Sequence, residues 1–146
     1  MDPSRIEGAW TLDAFVVHRA DGRTVHPYGE AAQGSLLYVD GRVSAVLSKA
    51  PRGDFTAAPL ERVHRAPAED KARAFDGYTS YAGTYAIEGN LVRHHVEMSL
   101  VPTLVGTTLE RRAAFDGPQL VLRYEVEGRA GTHRYELRWS RARNGT

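Results

Sequence analysis

Apolar and polar residues alternate along most of the chain in short runs that are broken by turn residues. A period of two marks strands with one buried face, and a succession of such runs with tight turns between them marks a meandering all-β protein. Residues 9–19 predict the first strand, with Trp10, Leu12, Ala14 and Val16 on one face. Asp21-Gly22 turns the chain, because both residues tolerate the positive φ of a tight hairpin. Residues 24–26 offer a short return, and Pro27, Gly29 and Gly34 mark a loop. Residues 35–39 and 42–49 predict a hairpin around Asp40-Gly41. Four more runs follow at 83–87, 91–100, 107–115 and 119–127, and residues 132–141 form the last.

One stretch breaks the alternation. Residues 50–66 carry prolines and have no regular period. Pro67 then stands where a helix can begin, since its missing N–H costs nothing at the first position. Glu69 and Asp70 suit the positive end of a helix dipole. Ala68, Ala72, Phe75 and Tyr78/Thr79 recur at helical spacing, which predicts one helix of about three turns. The pattern therefore reads as about eight strands and one short helix between the third and fourth main strands. An open sheet of this size has two unprotected edges, and closing it into an up-and-down antiparallel barrel removes them. The interior of such a barrel is wide enough for side chains or one small ligand.

A chain of 146 residues is the usual size of a single domain. Residues 1–146 are read as one barrel domain, with 1–7 and 143–146 expected to fray. There is no cysteine, so disulfides and thiolate chemistry are excluded. The first residues lack the apolar core of a secretory signal, and no run reaches the length of a membrane-spanning helix. The expectation is a cytoplasmic protein with no membrane partner. A net charge of +1, with arginines scattered among acidic residues, does not make a nucleic-acid footprint. Closure leaves no free edge, so a monomer or weak dimer is expected. No phosphate loop, dinucleotide fingerprint or nucleophile elbow is present, and no cofactor is called for.

Candidate chemistry gathers in the second half. His94, His95, Glu97 and Ser99 lie on one strand. Period-two geometry puts His95, Glu97 and Ser99 on one face and His94 on the other, with Val92, Val96, Met98 and Leu100. An apolar stripe normally faces the core, which leaves His95 and Glu97 outside. A ligand-holding lumen can invert this, because it needs a few polar groups to orient its guest. Either imidazole, if it faces the lumen, is the best acid/base group in the chain. A zinc site needs three or four converging ligands, and His95-x-Glu97 with His18, His26 or His133 has no spacing that demands one, so no metal is expected. Tyr78, Tyr81 and Tyr85 fall at the helix end and on the strand after it. They serve either as packing or as a pocket wall whose hydroxyls orient a ligand. Tyr28 and Tyr38 are candidates of the same kind. Arg111 and Arg112 adjoin on one strand and point to opposite faces. The inward one needs a carboxylate such as Glu97 or Glu125, or a polar ligand, because unpaired buried charge is costly.

Gly8-Ala9-Trp10 is similar to the Gly-x-Trp that opens the first strand of lipocalins. Further matches come in order: His26-Pro27-Tyr28-Gly29-Glu30, Phe75-Asp76-Gly77-Tyr78, Tyr81-Ala82-Gly83-Thr84-Tyr85 and the run from His94 to Pro102, followed by Val105-Gly106-Thr107 and Arg111. Together they resemble the bacterial and fungal lipocalin-like domain family over nearly the whole chain. The resemblance implies a calycin-type barrel around a small, largely apolar, oxygenated molecule. Members of the family often look like companions of polyketide and other natural-product pathways. Relatives of the barrel act as carriers or as cofactor-free cyclases and isomerases. The resemblance favours His95 as the acid/base group and Arg111 as the inward arginine. It also implies that an arginine late in the chain, Arg138 or Arg141, stacks on Trp10. Thr103 and Leu104 follow Pro102 where the family commonly carries Asn and Trp, and this makes Leu104 a rim position that tunes the ligand. The expected function is cofactor-free tailoring of a polyketide-like substrate by cyclisation, isomerisation, dehydration or hydrolysis. His95, Tyr81 and Arg111 would be catalytic, and Tyr78, Tyr85, His94, Glu97, Met98, Tyr28, Tyr38 and Leu104 would bind the ligand. The alternative is a carrier with no chemistry.

Overall fold

The structure, a computed structural model, describes residues 1–53, 55 and 60–143. Its strands are β1 (Gly8–His18), β2 (Thr24–Val25), β3 (Gln33–Val39), β4 (Arg42–Ser48), β5 (Tyr78–Glu88), β6 (Leu91–Ser99), β7 (Thr108–Asp116), β8 (Gln119–Gly128) and β9 (Gly131–Arg141). The helix α1 (Ala68–Asp76) lies between β4 and β5, the third and fourth long strands. From β3 onward each strand pairs antiparallel with the next, and β1 pairs with both β3 and β9. The eight long strands thus close into a barrel, and the two-residue β2 hangs on the end of β1. None of the described helices is long and apolar enough to cross a membrane.

Two departures from strict alternation decide what faces inward. The register of β1 against β9 shifts between Leu12 and Ala14. Such a bulge adds one residue to one strand and moves every later side chain to the other face. Trp10 and Leu12 point in, and beyond the bulge it is Phe15 and Val17 that are buried, not Ala14 and Val16. Asp13 sits at the bulge, outside, and accepts hydrogen bonds from Gln119 and Ser140. A second shift falls between Ala82 and Gly83, where Ala82 pairs with Met98 and Gly83 with Val96, so that Glu97 is the extra residue. Here the two backbones nearly touch. A Cβ on Gly83 would lie 1.8 Å from the carbonyl oxygen of His95 and 3.0 Å from the amide nitrogen of Glu97. Gly83→Ala is therefore expected to push β5 from β6 and cost about 1–3 kcal/mol, a loss that a urea titration reads as a lower midpoint.

Strand β5 starts at Tyr78, five residues before the sequence pattern suggests. Gly77 stops the helix, with its N–H still bonded to the Arg73 carbonyl. The chain then pairs at once along β4, from Ser48 opposite Tyr78 to Arg42 opposite Thr84. The helical spacing that reaches Tyr78 and Thr79 overran this stop. Of the irregular stretch, Leu60–Arg65 forms a short 3₁₀ helix, while residues 54 and 56–59 lie outside the described residues, as does most of the tail expected to fray (144–146).

Residues 1–7, expected to fray, make contacts with the barrel. Pro3–Arg5 makes a 3₁₀ turn capped by the Asp2 side chain, and Ile6 is fully buried. The Ile6 carbonyl accepts a 2.8 Å hydrogen bond from Trp10 Nε1. The Arg141 guanidinium lies 4.1 Å from the Trp10 ring centre and donates to the carbonyls of Arg5 and Glu7. The N-terminal turn is thereby clamped across the closed end of the barrel. Arg138 instead pairs outside with Asp116 and Glu136.

Candidate functional site

Above the Trp10 floor the barrel holds a cavity of about 180 Å³. One side is apolar, built from Phe15 on β1, Leu36 on β3, Ala45 and Leu47 on β4, and Leu122, Leu137 and Trp139 on β8 and β9. The polar lining is concentrated on consecutive strands: Thr79 and Tyr81 on β5, His94 on β6, Arg111 on β7 and Tyr124 on β8. Alternation explains the set, because residues directly opposite in antiparallel strands share a face. Tyr85 pairs with His94 and Val92 with Arg111.

The imidazole in the lumen is that of His94, which is 1% exposed. His95 is on the outer face, where its Nδ1 meets Thr108 Oγ1 at 2.8 Å. The apolar stripe of Val92, His94 and Val96 faces the core in the ordinary way, so the inverted phase favoured for His95 is not adopted. Glu97 is also outside, in an ion pair with Arg42. Met98, expected to share His94's face, is 60% exposed because the bulge at Glu97 turns it out. Tyr78 lies under the Arg52 guanidinium away from the cavity, and Tyr85 spans the floor to donate to Glu7 at 2.8 Å. Leu104 sits in the 3₁₀ turn Pro102–Leu104 and does not line the cavity. Tyr28 does line it, with its hydroxyl 2.6 Å from Thr79 Oγ1. Sequence reasoning missed Tyr124 and Trp139. Leu120, Leu122 and Tyr124 alternate in phase with Arg111 across β7 and β8, and that alternation was the available signal for Tyr124.

His94 is held by two tyrosines. Tyr38 Oη is 2.7 Å from Nε2, and Tyr81 Oη is 2.7 Å from Nδ1. Burial drives the His94 pKa down to about 3, with the nearby charges of Arg111 and His95 adding to the effect, so the ring is neutral at pH 7. A neutral imidazole has one N–H and one bare nitrogen, and its neighbours decide which is which. Tyr38 is fully buried, and among the described residues its hydroxyl has no hydrogen-bond partner but Nε2. If Nε2 carried the proton, the Tyr38 O–H would be left with no acceptor, at a cost of about 1–3 kcal/mol. The Tyr38 O–H therefore donates to Nε2, and Nδ1–H donates to Tyr81. The Tyr81 oxygen is then an acceptor from below, and its own proton is left to point into the cavity.

Arg111 completes the polar side. Its guanidinium lies 3.7 Å from the Tyr124 ring centre, and Nη1 donates to the Glu110 carbonyl at 3.0 Å. Burial raises the Tyr81 pKa, and the adjacent Arg111 charge works against that rise by favouring the phenolate. Burial likewise pushes Tyr124 up to about 12, so it is a neutral hydroxyl at pH 7. Tyr38, deeper still, is raised well above the ordinary phenol value. The arrangement presents hydrogen-bond donors and one fixed positive charge to anything in the lumen.

No curated protein and no solved structure matches this chain. A family model does match, over residues 7–142, and its description, lipocalin-like domain, agrees with the closed barrel and with a lumen suited to a small molecule. The chain belongs to the lipocalin-like domain family.

Proposed function

We propose that the barrel encloses a small, largely apolar molecule by one of its oxygens, and that Tyr81 acts on that oxygen as a general acid. The observation that carries this reading is the position of the Tyr81 hydroxyl. His94 Nδ1 approaches it at 2.7 Å, the Arg111 charge is close by, and the donor order that runs through Tyr38 leaves its proton for a partner in the cavity it lines. Two donors aimed at one phenol oxygen stabilise the phenolate left when the proton moves to the substrate. His94 does not itself meet the substrate, since both ring nitrogens are engaged. It is a positioning residue that, through Tyr38, fixes which way the Tyr81 proton points. Arg111 is placed to stabilise an enolate-like oxygen as charge develops on it. The chemistry that suits this set is acid-assisted isomerisation or dehydration without a cofactor, helped by exclusion of water.

Volume limits the substrate. A cavity of about 150 Å³ takes a benzene molecule, and drug-sized ligands need about 300 Å³ or more. The lumen as it stands fits one substituted ring and not a polycyclic skeleton.

The test is mass spectrometry of the natively purified protein and of its incubations with extracts of the source organism. Product that accumulates far beyond one equivalent supports the enzyme reading. Tyr81→Phe should then lower kcat/KM by roughly 100-fold, within the range for loss of one general acid. A compound bound one-to-one and released unchanged supports a carrier instead, and the same residues become ligand contacts.

A further inference from the structure

The geometry points to a ligand that is bound as an organic anion: a one-ring carboxylate, or an enol acidic enough to ionise, with its oxygens against Arg111 and Tyr81. This rests on the reading of the lumen as the binding site and specifies the class of molecule it takes.

Arg111 carries the argument. Arg111 is partly exposed and lines a mostly apolar lumen, so its guanidinium is incompletely solvated on that side and favours a counter-charge there. Among the described residues no carboxylate lies within ion-pair distance of it. The carboxylates that could have served are engaged on the outer face. Glu97 pairs with Arg42, Glu110 with Arg93, and Glu136 with Arg123 and Arg138. Glu125 stands opposite Arg134, on the exposed side of β8. What holds the guanidinium in place is the face of Tyr124, one backbone carbonyl and the Tyr81 hydroxyl oxygen, none of which carries a negative charge. A ring face offsets part of a cation's desolvation but leaves its N–H edges free to make bonds.

The rest of the lining agrees. None of the described lining residues is acidic. The donor order leaves the Tyr81 proton for a lumen partner, Tyr124 is a neutral hydroxyl, and the Thr79 hydroxyl is occupied by Tyr28. A site with fixed charge and donors and no acidic group selects an acceptor with negative charge, and planar carboxylate oxygens match the arginine fork. The apolar wall of Phe15, Leu36, Leu122 and Leu137 takes the ring.

Benzoate and benzamide test this directly, since they have nearly the same shape and volume and differ in charge. Titration calorimetry at pH 7 should give benzoate at least tenfold tighter binding than benzamide. Perturbation of the Trp139 indole and Tyr81 NMR signals locates each probe in the lumen. Arg111→Met, which keeps the aliphatic stem, should weaken benzoate at least tenfold and leave benzamide within about threefold, in line with loss of a charged hydrogen bond. Tyr124→Leu, which strips the ring beneath the guanidinium, should weaken benzoate in the same direction and gives a second variant should the first fold poorly. Benzamide bound in the lumen as tightly as benzoate, or benzoate binding indifferent to Arg111, overturns the anion proposal while the lumen reading stands. Neither probe perturbing the lumen signals overturns both.

Discussion

Replacing Trp10 with alanine is expected to cost about 3–5 kcal/mol of folding stability, the usual range for a fully buried large aromatic. That is a large share of the about 5–15 kcal/mol that holds a domain of this kind together. Three attachments fail together. The ring is 2% exposed and packs with Phe115, whose centroid is 6.3 Å away. Its indole N–H is the donor that satisfies the buried Ile6 carbonyl. Arg141, which lies over the ring, also ties down the carbonyls of Arg5 and Glu7. Loss of the ring therefore loosens the N-terminal turn as well as the core. A urea titration should show a lower midpoint, and amide exchange at residues 3–7 should rise more than elsewhere. Trp10→Phe keeps most of the apolar area but leaves the Ile6 carbonyl without its donor, and should fall between alanine and the native residue. A cost below about 1 kcal/mol for the alanine variant would mean that the floor is not part of the cooperative core.

The barrel was legible because its determinants are local. Alternation, the Asp21-Gly22 and Asp40-Gly41 turns and the break near Pro67 all lie within a few residues of what they control. The site was legible only where alternation ran unbroken. Arg111 and Tyr81 face the lumen, and the stripe of Val92, His94 and Val96 faces the core in the direction simple periodicity gives. The errors cluster at the two bulges. A bulge is a relation between two strands, and one strand's own pattern does not announce it. Phe15 for Ala14 and Met98 outside for Met98 inside are both one-residue phase slips. Gly83 was the available hint for the second, as glycine inside a strand often marks a bulge or a close backbone approach. His95 went astray differently. Its inward placement rested on family likeness set against an intact apolar stripe, and the stripe decided. The Tyr38–His94–Tyr81 relay joins three strands across 56 residues of sequence, so no local signal could have assembled it.

That relay has a consequence that equilibrium unfolding can read. The unfolded chain takes up a proton on His94 near pH 6.5, and the folded chain resists until about pH 3. Because the folded pKa lies below the unfolded one, protonation favours unfolding. Stability is at its full value above pH 6.5, declines as pH falls through the window and stops declining near pH 3. The slope approaches about 1.4 kcal/mol per pH unit, and across the whole window the loss is on the order of 5 kcal/mol. Other groups titrate in the same range, so the measurement is a difference. His94→Gln offers one acceptor and one donor, as neutral imidazole does, and carries no titratable group. The native protein should lose stability relative to this variant on acidification from pH 7.5 to pH 4. The groups facing the ring are Tyr38 on β3, Tyr81 on β5 and Arg111 on β7, with His95 adjacent on the same strand. Neither tyrosine ionises below pH 7 and the arginine stays charged, so His94 alone accounts for the difference. Curves that stay parallel over this range would show that the buried ring accepts a proton as readily as a free one. Nε2 would then be protonated without penalty, the donor order through Tyr38 would not hold, and the Tyr81 proton would lose its reason to face the cavity.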